Sequence, residues 1–352
     1  MSKAKEIAGL ECGASAASGI RRVLGVRFKE MWSLRAEALD WSDIEGVHDM
    51  RVASRRLRSA LRDFKPYLKQ SKLRGVSDEL KKIADALGTV RDEDVAIDTL
   101  EKLAAEAPTE FVAGVKQFAM ARRMRREGER AALVKALEDV SLSGLQAKFD
   151  KKIEKALKVS RDGDKKDESN ALETSFRQAG REIIRARVEE LRSLSAGFYQ
   201  PRKTKPLHRI RIASKRLRYA VELFAQCWND SLAPFAKEVE EMQGSLGDLH
   251  DCDVWIEEFG KLLTDRSKGA SRVAAAQAVE PERLAAVWLL RHYAKARTKH
   301  YRKSLASWQE WETSKFFARL NQQLETRPPI ELSSVTLSAA DAVAADLRAQ
   351  HA

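Results

Sequence analysis

The sequence is poor in the residues that break or staple chains. It has 17 glycines and 8 prolines in 352 residues, about 7% together, against a usual ~12%. So few breakers argue against an all-β protein of short strands and tight turns, and for long helices. Cysteine is scarcer still. Cys12, Cys227 and Cys252 are odd in number, widely scattered and without a CxxC pair, so neither a zinc knuckle nor a disulfide framework is readable. The expected setting is a reducing cytoplasm. Long apolar runs are also missing: Leu284 to Leu290 is far too short to span a bilayer. The N-terminus has basic residues but no sustained apolar stretch, so no secretory signal is evident.

What is present is charge on a hydrophobic frame. Charged residues make up 33% of the chain and hydrophobic ones 43%, enough for a core. Lysine and arginine number 64 against 52 aspartates and glutamates, a net charge of +12. That balance favours a polyanionic partner without saying which one.

The chain repeats itself. VHDMRVASRRLRSALRDF at 47–64 matches LHRIRIASKRLRYAVELF at 207–224 with an offset of 160 residues. LGTVRDEDV at 87–95 then recurs as LGDLHDCDV at 246–254, offset by 159. Two blocks in the same order at nearly one offset read as an internal duplication. The expected units are residues 1–165, residues 166–326 and a tail 327–352. The divide falls in the polar stretch 159–170, and a short amphipathic piece is expected near Ala339 to Leu347. Helices are expected at about 14–39, 46–69, 73–105, 109–140 and 142–158, then 171–198, 206–228, 231–264, 280–309 and 312–325. Pro108, Pro206, Pro234 and Pro281 stand where helices start or chains turn, and Pro66 should end or kink its helix. The fold expected is all-α: two pseudo-symmetric four-helix bundles, each with its own core.

The first repeated helix carries a stripe. At 100° per residue, His48, Arg51, Arg55, Arg58 and Arg62 share one side, while Met50, Ala53, Leu57, Ala60, Leu61 and Phe64 fill the other. The second helix repeats the row as His208, Arg211, Lys215 and Arg218, with Glu222 where the first has Arg62. Arg56 and Arg216 lie toward the flank. A solvated face ordinarily mixes acids with bases at i,i+4; like charges stacked at that spacing destabilise an isolated helix. Arginine's planar fork also suits phosphate oxygens. The stripes therefore read as an anion-binding surface, and pseudo-symmetry would join them as one groove. The histidines would donate to phosphate, and a nearby anion would favour their protonated form.

Asp92 and Asp94, and likewise Asp251 and Asp253, point about 200° apart on a helix, which is unsuited to chelating one metal. They are expected to orient arginines, with Asp94 pairing with Arg91. The fourth helix of each half adds Arg122, Arg123, Arg125, Arg126 and Arg130, then Arg291, Lys295, Arg297, Lys299 and Arg302. Of these, Arg122, Arg126, Arg130 and Arg297 are candidates for lining the same groove.

The doubled HxxRVASRRLR and HxxRIASKRLRY helices, each followed by LGxx[RH]DxDV, resemble the CHAD family, the conserved histidine α-helical domain, over roughly residues 14–320. The resemblance implies two four-helix subdomains and binding of inorganic polyphosphate in a basic central groove, with location at polyphosphate granules. It carries the binding role onto His48, Arg51, Arg55, Arg58, His208, Arg211, Lys215 and Arg218. Some members are fused to a triphosphate-tunnel domain with an ExExK strand. That motif is absent, so a stand-alone binding module, without cofactor, metal or catalysis, is expected. Asp49 against Arg209 and Arg91 against His250 depart from equal halves. Two rivals remain at this stage. A nucleic-acid binder is disfavoured because Tyr219 is the only aromatic in the 208–219 stretch. A metal-assisted phosphohydrolase would use the aspartate pairs. A scaffold recruiting proteins to granules is compatible with binding, and no membrane partner is expected.

Overall fold

The computed structural model describes residues 7–142, 144–161, 174–269 and 281–326. Residues 162–173, which take in most of the expected divide at 159–170 and the start of the expected helix 171–198, the tail 327–352 and its piece at Ala339 to Leu347 lie outside them. The described chain is helical, with one isolated antiparallel bridge between Ser15 and Ser175. The first half runs α1 (Ala16–Ser33), α2 (Arg35–Ala38), α3 (Glu45–Asp63), α4 (Gln70–Glu106), α5 (Thr109–Leu142) and α6 (Leu145–Arg161). The second runs α7 (Phe176–Ser193), α8 (Thr204–Phe224), α9 (Ala233–Gly269), α10 (Pro281–Thr313) and α11 (Phe316–Glu325). The all-α class is thus observed.

Local chemistry explains the boundaries. Ser15 and Ser175, 160 residues apart, cap α1 and α7 by accepting from the backbone N–H of Ser18 and Gln178, which satisfies a donor the first turn leaves free. Pro66 stops α3, and the chain passes through a 3₁₀ turn at Lys65–Tyr67. The expected helix 14–39 is two pieces, because the chain turns at Leu34.

The core differs from the expectation of one core per half. A single cluster takes in Leu24, Met50, Leu57 and Phe64 together with Ile184, Leu217, Phe224 and Trp308. Within it Phe64, Phe176 and Phe224 form a triangle of rings, with Phe176 6.1 Å from Phe64 and 5.0 Å from Phe224. The approach depends on missing side chains. A Cβ on Gly19 would sit 2.2 Å from the Phe176 ring, and one on Gly180 2.5 Å from Phe224. A second cluster closes the far ends of the long helices, joining Leu100 and Val115 to Phe259, Ala285 and Leu289.

Cysteine usage needs correction too. Cys12 and Cys227 form a disulfide across 215 residues, Cα to Cα 5.3 Å. No local spacing could reveal it, because the shared core brings the N-terminal segment onto the second half. Cys252 is free and buried. No described helix is long and apolar enough to cross a membrane.

Candidate anion-binding site

Helices α3 and α8 carry the two stripes, and each buries its apolar side: Met50, Ala53, Leu57 and Ala60 on one, Ile210, Ala213, Leu217 and Ala220 on the other. The two helices pack against each other, so their cations act on one another. Arg51 is held below its ordinary range by burial, and the positive charges of Arg55, Arg91 and Arg211 add to this against Asp92. Arg211 is lowered likewise by burial and by Arg55, with Asp251 and Asp92 opposing. Lys215 shows the largest effect. Burial, then Arg55, Arg211, Arg62 and Arg51, bring its ammonium down to about 7. His48 is lowered by burial and Arg91 against Glu45 and Asp49. His208 is lowered by burial, Arg211 and Lys215. Each is a cation made costly first by burial and then by neighbouring cations.

Support comes from beneath. The Arg55 guanidinium lies over the Tyr219 ring at 5.9 Å, so a first-half cation rests on a second-half aromatic. Arg218 approaches the same ring at 5.2 Å. Arg51 donates to Asp92 Oδ1 at 2.9 Å. Asp251 is pushed up by desolvation, and Arg211 opposes the shift.

Most of the other candidates stand in ion pairs. Arg56 lies 3.8 Å from Glu30, which accepts from Arg27 at 2.6 Å. The arrangement recurs 160 residues on, where Arg216 and Arg187 share Glu190, and Arg187 also pairs with Asp63 at 2.8 Å. Arg218 is 3% exposed and turned to Glu240 at 2.9 Å and Glu222 at 3.3 Å. Arg58 is half-buried, and Arg62 donates to Ser59 Oγ at 2.8 Å. On α5, Arg122 bridges Glu93 and Glu258 beside Trp255. Arg126 meets Asp94 and Glu127, and Arg130 meets Glu127 and the Trp41 ring. Arg297 on α10 donates to Asp253 at 2.6 Å. Asp94 therefore pairs with Arg126 across helices. The expected partner, Arg91, lies 3.8 Å from Glu45 instead, because side chains on neighbouring helices offer better geometry than the i−3 position. Asp92 and Asp94 thus face different arginines, on α3 and α5. Among the described residues no group of three or more His, Cys, Asp or Glu could hold a metal ion.

Sequence reasoning left two members out of the cluster. Arg91 acts on His48, and His250 lies against His208, Nδ1 to Nδ1 3.3 Å. They occupy matching places in the repeated LGxx[RH]DxDV block, and that register was the signal available. Glu30 and Glu190 were also missed, although Arg27/Arg187 and Glu30/Glu190 keep the 160-residue offset.

Comparison with known proteins gives a consistent picture. The chain is 32% identical over 223 residues to the uncharacterized protein Rv2226 of Mycobacterium tuberculosis strain H37Rv. It is 31% identical to the uncharacterized protein MT2285 of strain CDC 1551 over the same length. These matches cover 62% of this chain and 40% of each relative, so the chain spans well under half the length of the curated relatives it matches. The crystal structure of the CHAD domain from the plant Ricinus communis superposes with a TM-score of 0.64 at 22% identity, covering 87% of this chain and 96% of that one. PptA from Streptomyces chartreusis superposes at 0.57 with 14% identity, covering 84% and 100%. At such identities these two establish the fold. A family model, the CHAD domain, matches residues 22–260, and with two thirds of its length so matched the chain belongs to the CHAD family.

Proposed function

We propose that the chain binds inorganic polyphosphate, without catalysis, along the cations where α3 meets α8. The observation that carries this reading is the packing of α3 against α8, which sets Arg51 and Arg55 against Arg211 and Lys215, so that burial and then these cations bring Lys215 down to about 7. A folded protein keeps mutually repelling cations together at a cost in stability, and a multivalent anion laid between them would relieve it. Polyphosphate offers closely spaced charges on a flexible chain and no base to read. A row of guanidinium forks and one ammonium can hold successive units, with affinity arising from multivalency and counterion release. His48, Arg51, Arg55, Arg58 and Arg62 would form one side, and His208, Arg211 and Lys215 the other. Arg56, Arg216 and Arg218 would act from below, through their acidic partners. Location at polyphosphate granules, and recruitment of other proteins there, belong to the same reading.

Titration with polyphosphates of defined length tests it. Affinity should fall steeply with salt, and four engaged cations imply a log–log slope of roughly −3 to −4 by analogy with nucleic acids. Replacing Arg51, Arg55, Arg211 and Lys215 together with alanine should abolish binding while the helical circular dichroism persists. Retained affinity would sink the assignment. Competition at equal phosphate concentration with single-stranded RNA, and orthophosphate release with Mg²⁺ or Mn²⁺, separate it from nucleic-acid binding and from phosphohydrolysis.

A further inference from the structure

The two ends of the cluster differ. At the first-half end His48 lies with Arg91, and Glu45 and Asp49 act on it as counter-charges. At the second-half end the matching positions are His208 and His250, and the counter-charges are replaced by Lys205 and Arg209, both exposed. One end has a permanent guanidinium tempered by two carboxylates. The other has two imidazoles among further cations.

We propose that His208 and His250 form a proton-gated anion subsite, where a phosphate chain binds with uptake of about one proton by the imidazole pair. The proposal rests on the polyphosphate reading and adds a site, His250, and its regulation. The geometry sets the chemistry. With the two Nδ1 atoms 3.3 Å apart and the ring centroids 4.5 Å apart, one Nδ1–H donates to the other ring's lone pair. In the neutral pair the donor ring keeps a bare Nε2, so the pair offers an anion one N–H and one lone pair. One added proton puts hydrogen on both Nε2 atoms and leaves the inner hydrogen bond intact. A mixed donor–acceptor face thereby becomes a two-donor cation. A second proton would set two N–H groups against each other, so uptake stops near one.

The surroundings explain why the proton waits for the anion. On α8 the pair meets Arg211 and Lys215, with Lys205 and Arg209 exposed on the same helix; α3 adds Arg51 and Arg55, which act on Arg211. On α9 Asp251 faces Arg211, and Asp248 is turned to His300 of α10 at 3.2 Å. Burial, Arg211, His208 and Lys215 hold His250 down to about 4 without ligand. A bound polyanion offsets those cations and restores the proton at mildly acidic to neutral pH.

The test is calorimetric titration of one polyphosphate length from pH 5.5 to 8.5 at fixed ionic strength, in buffer pairs of different ionisation enthalpy. Wild type is compared with His250→Arg, which copies the first-half pairing. The end groups of the ligand and Lys215 titrate in both proteins, so the difference isolates the pair. Wild type should take up close to one proton more than the variant near pH 6.5. His250→Arg should bind some tens of fold tighter at pH 8, and the two should converge near pH 5.5. Each fully coupled proton changes affinity about tenfold per pH unit. His250→Gln, which cannot be charged, should lose the extra uptake without gaining affinity, and it serves if the arginine variant does not fold. Equal proton uptake and equal pH slopes in wild type and variants overturn the subsite while leaving polyphosphate binding in place. Absence of binding at every pH overturns both readings.

Discussion

Replacing Lys215 with methionine should make the unliganded protein more stable and a poorer ligand-binder. The folded environment lowers this ammonium from 10.5 to about 7, chiefly by burial and then through Arg55 and Arg211. At ~1.4 kcal/mol per pH unit, that corresponds to ~4–5 kcal/mol against the folded state at and below neutral pH. Lys215 keeps partial solvent access, which screens the interaction, so ~2–4 kcal/mol is the expected gain in Lys215→Met. The methionine preserves the length of the stem. An unfolding entropy of ~2.1 cal/mol/K per residue makes this a rise in Tm of about 3–5 °C. The sign follows from proton counting. Between pH 7 and 10.5 the unfolded chain holds more protons at this residue than the folded one, so wild-type stability rises with pH across that window. The advantage of the variant should be full at pH 7 and below and gone near pH 10.5. Thermal melts in phosphate-free buffers from pH 6 to 10 measure it. Should Lys215→Met prove no more stable at pH 6–7, or keep a constant advantage up to pH 10, the picture of a self-repelling cluster is refuted. Added polyphosphate should reverse the ranking, because wild type gains more from the ligand.

The buried ion pairs and the close-packed glycines give further expectations. Glu30→Gln removes the anion shared by Arg27 and Arg56, whose side chains are 7% and 12% exposed, and should cost ~3–5 kcal/mol in urea unfolding. Glu190→Gln, at the more open counterpart where Glu190 is 26% exposed, should cost less. Equal costs would mean that burial does not set the difference. Gly19→Ala drives a methyl to 2.2 Å from the Phe176 ring and should lower stability by ~1–3 kcal/mol or more. Gly128→Ala, with nothing within 4 Å of the added carbon, should raise it by ~0.5–1 kcal/mol; chemical denaturation of both variants checks the contrast.

Much of this architecture is legible in the sequence because it is set locally. The spacing of Leu80, Ile83, Leu87 and Val90 fixes a helix expected over 73–105 and observed as Gln70–Glu106. Pro66 ends α3 where its missing N–H demands. The stripe of His48, Arg51 and Arg55 follows from 100° steps alone. What escaped depends on elements distant in sequence. Arg218 belongs to the stripe on a helical wheel, yet Glu240 of α9 draws it inward. Asp94 has Arg91 at a plausible local spacing, but Arg126 arrives from α5. The Cys12–Cys227 bridge and the Phe64, Phe176 and Phe224 cluster depend on how the halves meet, and neither repeat encodes that alone.

That aromatic cluster has a consequence for the charges above it. Helices α3 and α8 end at Phe64 and Phe224, whose rings meet edge to face at 6.1 Å. The distance between the arginine rows is therefore set by apolar residues that never touch a ligand, and by two glycines that let the rings nest. The hydrophobic centre acts as the spacer of an ionic gauge. A polymer with regularly repeating charge would sense a change in ring size there as a change of pitch, with every arginine still in place.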